Sequence, residues 1–393
     1  MSGNAILIYD DDEGTGQSYL ERLRKSTDVQ KNFKKMNCID EKEFLKNMKE
    51  LKKRQINFRN GKEWKDNPLE LDETSIFIVD YDLIKTDFFT GELASKYVRC
   101  FSKCRLVIAL NQFGHNPFDL TLKCHPKSYA DLNIGSDQLD NPGLWGGETK
   151  NFRPWYWPDI PQYLANVQRK IDDLEDNLDK TIFDFFGISK EILGTIPRSI
   201  IEFLGPDPQK TTFNIFLTES GNGLDEKDKS IEKINDEILR LLLASRISKW
   251  LEFLVLPGQN TLIDAPHLVH RYPSLLSGNH TSIDSWNKTA LLDNPQNIGI
   301  AYEKIEKFRF KKDFWLSRPA WFWNELSNYQ KIKEVSEPWT RESIEFVFCE
   351  DSSKFYKKED GKEFLAELDS PYIRRYVHKF DNVTYEPRFR FSL

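Results

Sequence analysis

The sequence predicts an α/β protein, a doubly wound parallel sheet at the N-terminus followed by a mostly helical α+β region. Three observations predict it. Strand-like and helix-like runs alternate over the first 140 or so residues, the pattern of a parallel sheet covered by helices. Two of the strand-like runs, SIFIVD and RLVIALN, are continuously apolar, as strands buried on both faces must be. The rest of the chain is dominated by long runs with apolar residues three and four apart.

AILIY, from Ala5 to Tyr9, is the first strand, and SYLERLRKS the first helix, with Tyr19, Leu20 and Leu23 on one face. KKMNCI reads as the second strand. EKEFLKNMKELKK is a helix whose Phe44, Met48 and Leu51 share a face. SIFIVD, ending at Asp80, is the third strand, GELASKYVRCFSK a helix, RLVIALN, ending at Asn111, the fourth strand, and KSYADLNIG contains a fifth.

A Trp- and Pro-rich stretch then spans 141–161. Its Gly and Pro content marks a linker, while Trp145, Trp155, Tyr156 and Trp157 carry too much aromatic area for a loose one. Residues 162–393 form the second, mostly helical region. QYLANVQRKIDDLEDNLDKTIFDFF reads as one long helix with a seam of Leu164, Val167, Ile171, Leu174, Leu178 and Ile182. Such a seam, over 162–186, pairs two subunits or packs within a bundle, and both readings stay open. EILGTIPRSIIEFLG reads as a helix with a Pro inside, TTFNIFLT as a strand, IEKINDEILRLLLASRISKWLEFLVL as a long helix, and IEFVFCE and VTYEPRFRF as late strands.

The chain has 393 residues, 39% hydrophobic and 30% charged, with net charge -6. The acidic balance disfavours a surface tuned to nucleic acid. Five cysteines spread over this length are not a secreted disulfide framework, which points to a reducing, cytoplasmic setting. No apolar stretch approaches the roughly 20 residues of a membrane span.

The chemistry concentrates where strands end. Asp10, Asp11, Asp12 and Glu13 follow the first strand, Asp80 and Asp82 the third, and Asn111 closes the fourth. Carboxylates this close repel by roughly 1 kcal/mol each even at high dielectric, so a cation or water must offset them, and a solvated turn ahead of a helix is the competing reading. Oxygen-only ligands suit Mg²⁺. Asp12 and Glu13 fit the start of the following helix.

These strand ends, in this order and spacing, resemble the receiver domain of two-component response regulators, over roughly residues 1–140. The resemblance implies a flavodoxin-like sheet, a Mg²⁺ ion held by Asp10, Asp11, Asp80 and the backbone carbonyl of Asp82, and Asp80 as acceptor of a phosphoryl group from a histidine kinase. It places Asn111 where the family carries a hydroxyl that contacts the phosphoryl group. At the end of the fifth strand, where the family has a Lys, ADLNIG has none; Lys123 and Lys127 lie upstream. The implied function is two-component-type signalling to partner proteins, or buffering of phosphate. The alternative is a phosphorylation-independent pseudo-receiver that docks partners.

Three other groupings are weighed. Cys100, Cys104, Cys124 and His125 lack the spacing of a structural zinc site. Asp264, His267, His270 and His280 lie close in sequence and give a second alternative, a metal-dependent enzyme in the C-terminal region, although Pro266 and Pro273 interrupt a shared helix. Trp315, Trp321, Phe322 and Trp323 among basic residues suit base stacking less well than core packing.

Overall fold

A computed structural model describes residues 4–60, 62, 68–84, 89–111, 128–147, 153–194, 196–219, 236–276, 281–290, 302–329, 345–364 and 375–379. Five parallel strands, β1 (Ala5–Tyr9), β2 (Lys35–Cys38), β3 (Ile76–Asp80), β4 (Leu106–Asn111) and β5 (Leu132–Gly135), form one sheet in the order β2-β1-β3-β4-β5. Every residue of β1, β3, β4 and β5 is buried. Burying each Ile, Leu, Val or Phe side chain contributes roughly 1.5 to 3 kcal/mol, so these runs specify a covered sheet before any tertiary detail. On the edge, β2 buries Met36 while Lys35 and Asn37 stay exposed, which is why its apolar signal is weak.

Helices α1 (Glu13–Lys25), α2 (Glu41–Arg59) and α3 (Gly91–Phe101) supply the crossovers. The right-handed crossover rule puts α1 on one face, and α2 and α3 together on the other; α2 and α3 do pack on each other. Each helix starts on a polar cap. Asp12 accepts from the Thr15 amide (3.0 Å), Asp40 from Glu43 (2.8 Å) and Thr90 from Leu93 (3.2 Å). Asp12 and Glu13 are thus helix-start residues.

In the second region, α4 (Ile160–Glu175) and α7 (Asp236–Trp250) pack together, and α7 also packs on α3. The expected single helix through Phe186 breaks after Glu175. Asp176 caps it, Asn177 to Lys180 turn, and a short helix α5 (Ile182–Phe186) begins at Thr181, whose hydroxyl accepts from the Asp184 amide (3.2 Å), and ends at Gly187 with φ 70°. Turn-forming Asp, Asn and Thr residues outweigh the apolar periodicity there. Within α4 the seam is used inside the chain, where Val167 and Ile171 bury against Leu241 of α7.

TTFNIFLT is a helix, α6 (Phe213–Glu219), and not a strand. The Thr212 hydroxyl accepts from the Ile215 amide (3.2 Å), and Phe213, Phe216 and Leu217 bury on one side. Burial at helical spacing overrode β propensity. The EILGTIPRSIIEFLG run is two short helices, Lys190–Leu193 and Arg198–Ile201, parted at Pro197. Of the aromatic residues expected in the linker, Trp145, Trp155, Tyr156 and Trp157 are all buried, and the apolar core runs without a break from the sheet into the helices.

The remaining strands build two small sheets. One pairs β6 (Leu262–Asp264) with β7 (Ala320–Phe322); the other has the order β10-β11-β8-β9, with β8 (Phe346–Cys349), β9 (Lys354–Lys357), β10 (Lys362–Phe364) and β11 (Arg375–Val377). VTYEPRFRF, with Arg388 and Arg390, lies outside the described residues. Among the described residues, no helix is long and apolar enough to cross a membrane.

One glycine joins the fold to the strand end that matters most. A Cβ on Gly91 would stand 2.1 Å from the Asp80 carbonyl oxygen and 2.6 Å from the Tyr81 Cα, so α3 starts where only glycine fits. Gly91→Ala is expected to lower stability by about 2 kcal/mol or more, read as a shifted urea midpoint with an unchanged slope.

Candidate functional site

In an open parallel sheet the crevice lies outside the carboxyl ends of the strands, where the strand order reverses. Here the reversal falls between β1 and β3, which lie side by side in register, Tyr9 opposite Val79. Asp10 therefore follows β1 directly beside Asp80, the last residue of β3. One carboxylate oxygen from each of Asp10, Asp11 and Asp80 lies within 4.8 Å of the others. Asp80 is 1% exposed and Asp10 4%.

Local hydrogen bonds shape this corner. Asp10 accepts from the Asp12 amide (2.8 Å), which turns the chain into α1. The Tyr81 amide donates to the Leu110 carbonyl (2.8 Å) and the Gly91 amide to the Tyr81 carbonyl (3.1 Å), so Tyr81, directly after Asp80, is held through both its backbone groups. Burial, and next the Asp10 charge, push the Asp80 carboxyl up to about 7; the Asp82 amide, which donates to it, offsets this in part, and Asp11 and Asp82 add to the rise. A carboxylate so raised is a poor anion by itself. Three converging oxygen donors, two of them buried, fit a small hard divalent cation such as Mg²⁺, and their mutual repulsion is what such a cation would remove.

The other expected residues divide. Asp82, expected to offer its backbone carbonyl, is exposed, gives its amide to Asp80 and accepts the Ile84 amide on that carbonyl (3.1 Å). Asn111 ends β4, one residue beyond the register partner of Asp80, and is 7% exposed. β5 ends at Gly135, where Arg22 donates to the Ser136 and Asp137 carbonyls (2.8 and 3.0 Å). Lys123 and Lys127 lie outside the described residues.

Cys100 and Cys104 are buried, and burial pushes Cys104 up to about 11. Cys124 and His125 lie outside the described residues. Trp315 and Trp321 are wholly buried and Phe322 is 8% exposed, while Trp323 is half-buried under the Arg271 guanidinium. The aromatic cluster is core.

The histidine-rich stretch does form a helix, α8 (Ala265–Arg271), because Pro266 falls in its first turn, where a missing amide costs nothing. His280 lies outside the described residues. His267 sits between two carboxylates, Nδ1 2.6 Å from Asp264 Oδ1 and Nε2 3.1 Å from Glu350 Oε1. Glu350 in turn accepts from Arg375 Nε (2.6 Å) and pairs with its second nitrogen. Asp264 accepts from the Trp155 indole and lies 3.9 Å from Arg318, which covers the Trp155 ring. All are buried. Burial would lower the His267 pKa, but Asp264 and Glu350 outweigh it and raise it. With both ring nitrogens facing carboxylates, the imidazolium is favoured, and neither nitrogen offers a lone pair to a metal. Burial, then His267 and Arg271, push His270 down to about 3.

Glu350, Arg375 and Arg318 were not singled out in the sequence, since His267 meets Glu350 across 83 positions. No family model, no curated protein and no solved structure matches this chain.

Two stability predictions follow from opposite signs. Asp80 has a raised folded pKa, so its contribution is present below the ordinary aspartate value near 4 and is lost as pH rises through about 7. Asp80→Asn in EDTA at pH 8 should therefore stabilise the protein by roughly 2 kcal/mol or more, with a smaller gain at pH 5, measured by urea unfolding. The raised His267 contributes below about 6.5 and loses that contribution as pH climbs through its folded value, whereas the lowered Asp264 and Glu350 contribute above about 4 and lose theirs on acidification. His267→Gln should cost about 3 to 5 kcal/mol by leaving charges unbalanced, most near pH 5 to 6.

Proposed function

We propose that this chain is a signalling protein of the two-component type, whose N-terminal flavodoxin-like, receiver-like domain accepts a phosphoryl group on Asp80 from a partner histidine kinase. The observation that carries the reading is the convergence of Asp10, Asp11 and Asp80 where the strand order reverses. Asp10, Asp11 and Asp80 would hold a Mg²⁺ ion, which when bound neutralises oxygens of the transferring group. An Asp80 carboxylate oxygen attacks the phosphorus of a phosphohistidine, the P–N bond breaks, and the imidazole leaves with its electron pair and takes up a proton. The product is an acyl phosphate.

Burial excludes competing water from Asp80, and the Asp82 amide orients its carboxylate. Asn111, at the neighbouring strand end, offers an amide to the phosphoryl oxygens in place of a hydroxyl. A second reading is favoured by the corner after β5, which is closed by Arg22 on backbone carbonyls: with that corner pinned, the domain docks partners independently of phosphorylation. A cytoplasmic setting fits four cysteines that form no disulfide among the described residues.

With Mg²⁺ and acetyl phosphate as donor, the wild type should gain a hydroxylamine-labile phosphoryl group and Asp80→Ala should not. No label on the wild type, or the same label on Asp80→Ala, sinks the phosphoacceptor reading in favour of the docking one.

A further inference from the structure

A cavity of about 950 Å³ opens beside helices α4 and α7, with Asp131, just ahead of β5, in its wall, and residues of 313–319 and 352–354 lining it as well. Its size lies at the upper end of small-molecule sites. Among the described residues that line it, seven carry positive charge and four negative, in a chain whose net charge is -6. Five rings stand in its wall as well, Tyr163 and Phe314 partly exposed and Tyr156, Phe253 and Trp315 buried.

The four acids are already engaged. Asp131 pairs with Arg99 and accepts from Ser245 and the Val107 amide; Asp159 caps α4 at the Gln162 amide; Glu252 accepts the Ser317 amide; Asp313 pairs with Arg309. Two of the cations have no such partner. Lys170 is 4% exposed, its ammonium donates to the Ser248 hydroxyl (2.8 Å), and it lies over the Tyr163 and Trp315 rings. Beside it on α4, Arg169 donates to the Asn166 side-chain oxygen (3.3 Å) and spreads over the Phe314 ring, 4.4 Å from its centre. Neither forms an ion pair among the described residues. Burial brings Lys170 down to about 8, with Glu252 acting on it only through space. A buried ammonium without a counter-ion is costly, and a bound anion supplies one.

We propose that this cavity binds a nucleoside polyphosphate, its phosphates on Lys170 and Arg169 and its base against the aromatic wall. The phosphate chain meets cations able to make charge-assisted hydrogen bonds, and rings of this kind take a base on their faces. The site is separate from Asp10, Asp11 and Asp80, and stands whether or not Asp80 accepts phosphate.

The test is calorimetric titration of the full chain with ATP, GTP and inorganic triphosphate in EDTA, which keeps divalent cations out of the acidic cluster. Saturable binding of ATP or GTP is expected, about tenfold or more tighter than triphosphate. Lys170→Met should weaken it by about tenfold or more. Arg169→Ala, at an exposed position that leaves the core intact, should weaken it as well, and circular dichroism verifies the fold of both variants. The proposal is overturned if neither nucleotide binds, if triphosphate binds as tightly as the nucleotides, or if folded Arg169→Ala binds with wild-type affinity.

Discussion

The constraint on which the front of the molecule depends is the meeting of the Asp10 and Asp80 carboxylates at adjacent strand ends, each almost wholly out of water. Parallel pairing of β1 with β3 forces the approach, because their register leaves no freedom to separate the two side chains. Gly91 then lets α3 begin against the Asp80 backbone, and Asp12 turns the chain away into α1. The fold thus concentrates negative charge that it does not need for its own stability. Three converging carboxylate oxygens are a donor set that suits a small divalent cation.

The second region meets the sheet through buried polar contacts as well as through a continuous apolar core. Arg99 pairs with Asp131, which also takes the Ser245 hydroxyl, while Arg246 and Lys249 of α7 donate to the Ser128 carbonyl and Glu92 accepts from Ser128 and the Tyr129 amide. Such contacts add little net energy against an apolar alternative, but each is directional. They fix how α7 sits on α3 and β5, which makes the edge of the sheet and the helical region one continuous body of packing. On the far side, Asp264, His267, Glu350 and Arg375 do the same for the small sheets and Trp155.

Much of this was legible in the sequence where signals are local. The strands AILIY, SIFIVD and RLVIALN are continuous apolar runs because both faces are covered, and Asp10, Asp11 and Asp80 could be read as strand ends from chain position alone. TTFNIFLT was misread because Thr, Phe and Ile favour strands, while Phe213, Phe216 and Leu217 have helical spacing too, and only their burial decides. The break at Asp176 was hidden by Leu178 and Ile182 continuing the period of the helix. Lys170 carried a faint signal, a cation between Val167 and Ile171 on the apolar stripe of α4. Glu350 and Arg375 carried none, since only tertiary folding brings them to His267.

The central claim is that Asp10, Asp11 and Asp80 form a cation site. Its most direct test is a carbon-13 NMR titration of the Asp80 carboxyl, assigned by comparison with Asp80→Asn. The expected midpoint is near 7 in EDTA and falls below about 5 in saturating Mg²⁺, as an adjacent positive charge demands. A midpoint near the ordinary aspartate value in EDTA, or one that Mg²⁺ leaves in place, would contradict it.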